Sequence, residues 1–196
     1  LDFLRKELSP KNDFLFTREP GGTEVGEAVR EILMHKDMAT KTELFLFCGV
    51  RSEVIDKIIK PALNSGTHVI CDRFYPSTRT YQIHKNSLGK EYLDIFNQLN
   101  KITVGDCKPD AIIYLDVTPE IGLERKSKSQ EGLCTRFDNA KLEDHYRIRN
   151  GYLIQYEEAV KNRTANPAWY MIPTDNMKEH EVQKMIFDTI ISLINK

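Results

Sequence analysis

Cysteine is scarce in this chain and poorly spaced for chemistry. Cys48, Cys71, Cys107 and Cys134 form no CxxC pair and show no metal-ligand spacing with the five scattered histidines, which argues against a zinc site or a disulfide framework and for a reduced, intracellular protein. An excess of one charge is also lacking: 28 Lys and Arg face 29 Asp and Glu, for a net charge of -1. No general nucleic-acid-binding surface is therefore expected, although local basic clusters can still act on small anions. No run approaches the roughly 18 apolar residues that span a bilayer, and the charged start "LDFLRKEL" has no signal-peptide form. Membrane and nucleic-acid partners are excluded, and a cytoplasmic location follows.

At 196 residues, one domain is long enough to bury a core without staples. Short apolar runs alternate with longer helical patterns, which predicts an α/β domain with a mostly parallel sheet. Strands are expected at 14–17, 68–72, 111–117 and 168–173, each buried on both faces because its apolar character is nearly continuous. Helices are expected at 24–35, 41–60, after Pro76, at 91–102, from Thr118-Pro119 onward, at 139–161 and at 177–194. The start has the apolar spacing of an amphipathic helix (Leu1, Leu4, Leu8) entered partway. Segment 126–138, "KSKSQEGLCTRFD", is basic at its start and poor in apolar residues. It reads either as a solvated loop or as a lid that closes over an anion.

Open α/β sheets bind ligands beyond the carboxyl ends of their strands. There the first strand delivers Arg18 and Glu19, followed by Pro20-Gly21-Gly22, and the second delivers Asp72 and Arg73. An aspartate beside an arginine suits either a structural ion pair or a site holding hydrated magnesium and a phosphate. In the helix over 41–60, Phe47 and Arg51 lie four residues apart and share a face. A planar base could stack on the ring while the guanidinium bonds its carbonyl edge; core packing would produce the same spacing. After Pro76, Ser77 with Tyr81 and Thr78 with Gln82 repeat that spacing. The turn "PTDN", 173–176, either contacts an adenine or simply caps a helix.

Together, "FTREPGGT", "LFLFCGVR", "VICDRFYPSTRTYQ", "KPDAIIYLDVTPEIGLER" and "TRFDNAKLEDHYRIRNGYL" resemble, in order and spacing, the bacterial-type thymidylate kinases. The resemblance implies the P-loop nucleoside-monophosphate kinase fold, a parallel sheet flanked by helices with a short lid near 126–140, over a single kinase domain of 1–196. It implies transfer of the ATP γ-phosphoryl group to dTMP with Mg2+, in a homodimer packed through helices, with Leu44, Phe45 and Val54 as part of the face. Phe47 would stack on thymine and Arg51 would bond its O4 edge. Gln82 with Ser77 or Thr78 would reach the remaining base edge, and Tyr81 would sit beneath the sugar. Glu19-Pro20, with a cis peptide bond, would shape the ribose side. Arg73 and Arg30 would hold the 5'-phosphate, Asp72 would help organise magnesium, and Arg136, or else Lys126 or Lys128, would be the basic lid residue. The sequence departs from the family at one point: it holds no GxxxxGK[ST] phosphate loop. An N-terminal strand and loop are therefore expected to be missing from these residues. The competing readings are another P-loop nucleoside or nucleotide kinase and a non-catalytic nucleotide-binding relative.

Overall fold

Local chemistry starts the helix at 24–35 where the sequence suggests. Thr23 Oγ1 accepts from the Gly26 backbone N–H at 2.9 Å, capping the helix that follows and satisfying one of its orphan donors. The computed structural model describes residues 1–8, 13–128, 137, 140–162 and 167–195. Within them run α1 (Asp2–Leu8), β1 (Phe14–Arg18), α2 (Glu24–His35), α3 (Thr40–Val54), α4 (Lys60–Asn64) and β2 (His68–Asp72). There follow α5 (Tyr75–Thr78), α6 (Lys90–Val104), β3 (Ala111–Asp116), α7 (Pro119–Lys128), α8 (Leu142–Lys161), β4 (Ala168–Pro173) and α9 (Glu179–Ile194).

Two helices depart from regularity. The expected single helix over 41–60 runs as α3, a π-helical stretch at Ile55–Ile59, and α4. Pro61 falls inside this continuous helical run, directly after the π-helical stretch, and has no N–H to give the helix ladder. After α5 the chain widens again into a π-helical stretch, Arg79–His84. Such widenings recur at functional sites.

Among the described residues the strands form two parallel pairs rather than one continuous sheet. β1 lies on β2 with Arg18 opposite Asp72, and β3 lies on β4 with Asp116 opposite Pro173. Each strand therefore has one side without a ladder. That explains why most strand residues are only half-buried, contrary to the expectation of burial on both faces. The pairs are tied together by helices: Leu4 and Leu8 of α1 and Ile190 of α9 form a cluster against Phe16 and Ile70 of one pair and Ile113 of the other.

Leu44, Cys48, Ile83 and Phe96 make a second cluster, and Val54, Ile55, Ile59 and Val104 a third. These clusters correct the expected dimer face, since Leu44 and Val54 are core residues and only Phe45, 52% exposed, points outward. The corrected side chains follow the helix's inner stripe. No helix among the described residues is long and apolar enough to cross a membrane.

Candidate functional site

Parallel pairing brings the carboxyl ends of β1 and β2 level, and the Glu19 N–H donates to the Asp72 carbonyl at 2.9 Å. The Glu19-Pro20 peptide is cis, as the resemblance implies. Gly22 adopts a φ of 84°, and a Cβ there would lie 2.6 Å from Thr17 Oγ1, so only glycine lets the turn pass this close to β1. Beyond these ends a cleft of about 590 Å³ opens between the β1–β2 and β3–β4 halves.

Nine of the expected residues line that cleft. Glu19, Arg30 and Arg73 enter from the strand ends and α2, Phe47 and Arg51 from α3. Ser77, Thr78, Tyr81 and Gln82 come from α5 and the π-helical stretch after it. Arg18 and Asp72 are not among its lining residues. The side chain of Arg18 turns to α2, where Nη2 donates to Glu27 Oε2 at 2.9 Å, and Asp72 is exposed at the end of β2. Arg136 lies outside the described residues. Of the two lesser candidates Lys126 lines the cleft, whereas Lys128 pairs with Glu124 on the outside of α7 at 2.5 Å. The "PTDN" turn serves α7: Asp175 Oδ1 accepts from the Thr118 N–H at 2.8 Å, and Arg125 Nη2 donates to the Thr174 carbonyl at 2.8 Å.

The floor of the cleft is a buried polar network. Arg51 is 1% exposed and Glu19 4%. Arg51 Nε and Nη2 both reach Glu19 Oε2 at 2.9 Å, and Nη2 also donates to Thr78 Oγ1 at 2.7 Å. Burial raises the Glu19 carboxyl above its ordinary value, with Arg51 opposing. Among the described residues, three polar atoms of this floor have no hydrogen-bond partner: the donor Arg51 Nη1 and the acceptors Glu19 Oε1 and Gln82 Oε1. Buried polar groups are nearly always paired, so these atoms are open to hydrogen bonds from a ligand or water in the cleft.

The rim is cationic. Arg30 Nη1 donates to the Pro20 carbonyl at 2.8 Å. Burial first, and then the nearby guanidiniums of Arg18 and Arg73, depress its pKa, with the Glu27 and Asp72 carboxylates opposing. Arg73 takes a φ of 67°, a region non-glycine residues occupy at a cost of about 1–3 kcal/mol, and its guanidinium lies 5.4 Å from the Tyr81 ring centroid. Strain of this kind clusters where a side chain must be aimed at a ligand.

Several cleft residues escaped the sequence reading. His145, Ile148, Arg149 and Tyr152 of α8 all face the cleft, and their i, i+3, i+4, i+7 spacing is the signal that could have revealed them. Arg149 holds Asp116, and Tyr152 stacks on Tyr114 with ring centroids 5.2 Å apart. Burial pushes the Tyr152 phenol up to about 12, and its hydroxyl hydrogen-bonds Ser77 Oγ at 2.7 Å.

A parallel α/β scaffold with an aromatic, hydrogen-bonding floor and an arginine rim at the strand ends is a site suited to a nucleotide, and the likenesses to known proteins make the class the nucleoside-monophosphate kinases. The thymidylate kinase family model matches residues 1–186. A thymidylate kinase of Shouchella clausii is 34% identical over 196 residues, covering 96% of this chain and 90% of its own. One of Clostridium novyi is 35% identical over 170 residues, covering 83% and 82%. The crystal structure of thymidylate kinase from Ehrlichia chaffeensis superposes with a TM-score of 0.71 at 28% identity, over 97% of this chain and 89% of that one. The chain belongs to the thymidylate kinase family.

Proposed function

We propose that this protein transfers the γ-phosphoryl group of ATP to dTMP, giving dTDP and ADP. The observation that carries the choice of acceptor is that the unpartnered atoms in the cleft floor include one donor on Arg51 and one acceptor on the Gln82 amide. Thymine presents a C4 carbonyl beside an N3–H, which complements that pair; cytosine presents an amino group beside a bare nitrogen, which opposes it at both points. In this reading Phe47 stacks on the base and Tyr81 lies beneath the sugar. Thr78 holds Arg51 in place through its hydroxyl, while Arg30 and Arg73 take the 5'-phosphate.

Phosphoryl transfer between two anions requires charge neutralisation and in-line placement more than covalent chemistry. The described residues include no cluster of three or more carboxylate, His or Cys groups for a metal. Magnesium suits such a site nevertheless, since it binds through one or two carboxylates, water and substrate phosphates. Asp72 is the residue that would hold it, through water, where the ion neutralises phosphate charge. These 196 residues hold no GxxxxGK[ST] loop for the ATP phosphates. Residues 1–196 belong to one kinase domain, in the cytoplasm and as a homodimer to which Phe45 of α3 contributes. The unpaired Cys48, Cys71 and Cys107 agree with a reducing compartment.

The test is ADP release from magnesium-ATP by the natural protein, with dTMP or dCMP as acceptor, alongside calorimetric titration of each nucleotide. Mispairing both buried groups should disfavour dCMP on the order of 10² to 10⁴-fold. Equal use of the two nucleotides would overturn the reading of the floor, and absence of turnover with retained dTMP binding would leave a nucleotide-binding relative. Light scattering at micromolar concentration tests the dimer, and a monomeric mass would remove it.

A further inference from the structure

We infer that Glu43 is a positioning residue that sets which base the cleft accepts, by fixing the orientation of the Gln82 amide. The inference rests on the reading of the cleft as a pyrimidine-nucleotide site. Glu43, 7% exposed, lies in the first turn of α3 and is not among the residues that line the cleft. Gln82 does line it, is 1% exposed, and donates from Nε2 to Glu43 Oε1 at 2.9 Å.

A primary amide is nearly symmetric in shape, so a lone glutamine could present either its oxygen or its NH2 to a ligand. Beside Glu43 it has no such choice. An ionised carboxylate only accepts hydrogen bonds; the reversed amide would set oxygen against oxygen and strand a buried acceptor. The NH2 group must therefore turn towards Glu43, and the oxygen left over is the atom without a partner. Glu43 thus converts an ambivalent amide into a committed acceptor. Arg51, on the same helix, supplies the committed donor beside it.

The consequence is a rule for the ligand: a ring N–H must face Gln82, which admits an imide base and rejects one with a bare ring nitrogen there. Glu43→Gln removes the commitment, because its own amide can donate as well as accept and lets Gln82 turn. The experiment titrates dTMP and 5-methyl-dCMP, which differ at this edge alone, into the parent, Glu43→Gln and the exchanged double variant Glu43→Gln/Gln82→Glu. The parent should favour dTMP strongly. In Glu43→Gln the ratio of the two affinities should fall about tenfold or more, the cytosine nucleotide binding no more weakly than before. The exchanged pair again places an acceptor-only group at 82 with a donor behind it, so the preference should return.

A merely structural role would weaken both nucleotides in parallel and leave the ratio where it was; that result would overturn the inference. Should Glu43→Gln not fold, the exchanged variant decides alone, since it keeps the charge and composition of the pair: a lost preference there also overturns it. A parent that binds neither nucleotide would reject the pyrimidine-site reading itself, and is thereby distinguishable from failure of the role given to Glu43.

Discussion

Arg149 grips Asp116 through two parallel hydrogen bonds, Nε to Oδ1 at 2.8 Å and Nη2 to Oδ2 at 2.7 Å, joining the middle of α8 to the carboxyl end of β3. The Tyr114 hydroxyl adds a third, to Oδ1 at 2.7 Å. Charge-assisted bidentate pairs are among the stronger polar contacts. This one holds the Asp116 carboxyl below its ordinary value, chiefly through the Arg149 hydrogen bonds, with burial opposing and Tyr114 assisting.

A carboxylate whose folded pKa is depressed contributes stability that is present above its unfolded value, about 3.9, and lost as pH falls through the folded one. Asp116→Asn should be less stable than the parent at neutral pH and should lose less on acidification below about pH 4. Urea denaturation between pH 7 and pH 2.5 reads both. Parallel acid limbs for the two proteins would show that the pair contributes nothing to acid sensitivity.

Arg51, a ligand contact in the proposed function, is also the counter-ion of a buried carboxylate. Removing one partner of a buried pair leaves the other uncompensated, which costs about 3–5 kcal/mol. Arg51→Ala should destabilise by that order, and adding Glu19→Gln should return part of it, because the stranded carboxylate is gone. Recovery should appear in the urea midpoint and not in dTMP affinity, which needs the guanidinium itself. If the double variant is no more stable than the single one, Glu19 is not the source of the cost.

The arginine rim predicts a split between nucleotide and nucleoside. Arg73→Ala should weaken dTMP by about tenfold or more, the worth of a charge-assisted hydrogen bond, while thymidine binding should change little. Calorimetry on both ligands gives the comparison. Equal losses would move Arg73 from the phosphate to the sugar or base, through its contact with Tyr81.

Gly151 sits within α8 where a Cβ would lie 2.8 Å from His84 Cβ and 3.2 Å from Thr80 Cγ2. Overpacking of this kind costs about 1–3 kcal/mol, which outweighs or at least offsets alanine's helix-propensity gain of about 1 kcal/mol. Gly151→Ala should melt at or below the parent temperature. It should also bind dTMP less tightly, since α8 would be pushed from the π-helical stretch that carries Tyr81 and Gln82. A clear rise in melting temperature would mean that α8 shifts without penalty.

Much of this architecture was legible in residue order. The four strand positions and α2, α6, α8 and α9 lie within a few residues of their expected limits, because continuous apolar runs and a period of 3.6 are local properties. Phe47 and Arg51 could be paired on one face because α3 stays regular through Val54. Glu43, four residues before Phe47 on the same helix, carried the same spacing and was missed, since a glutamate in a first helical turn is also what capping and the helix dipole favour. The π-helical stretches were not legible, because hydrogen-bond shifts of one residue leave little trace in composition.

The sequence by itself determined the elements, their order and the chemical types gathered at the strand ends. The tertiary structure decided the partners. Arg18 and Glu19 are neighbours of opposite charge, yet one bonds Glu27 and the other Arg51, 32 residues away. Which donor and which acceptor stay unpaired in the cleft floor follows from those distant choices. The physical reason is that hydrogen bonds saturate and burial is collective: an atom becomes available to a ligand only when the whole surrounding fold has excluded water from it and assigned every other partner elsewhere.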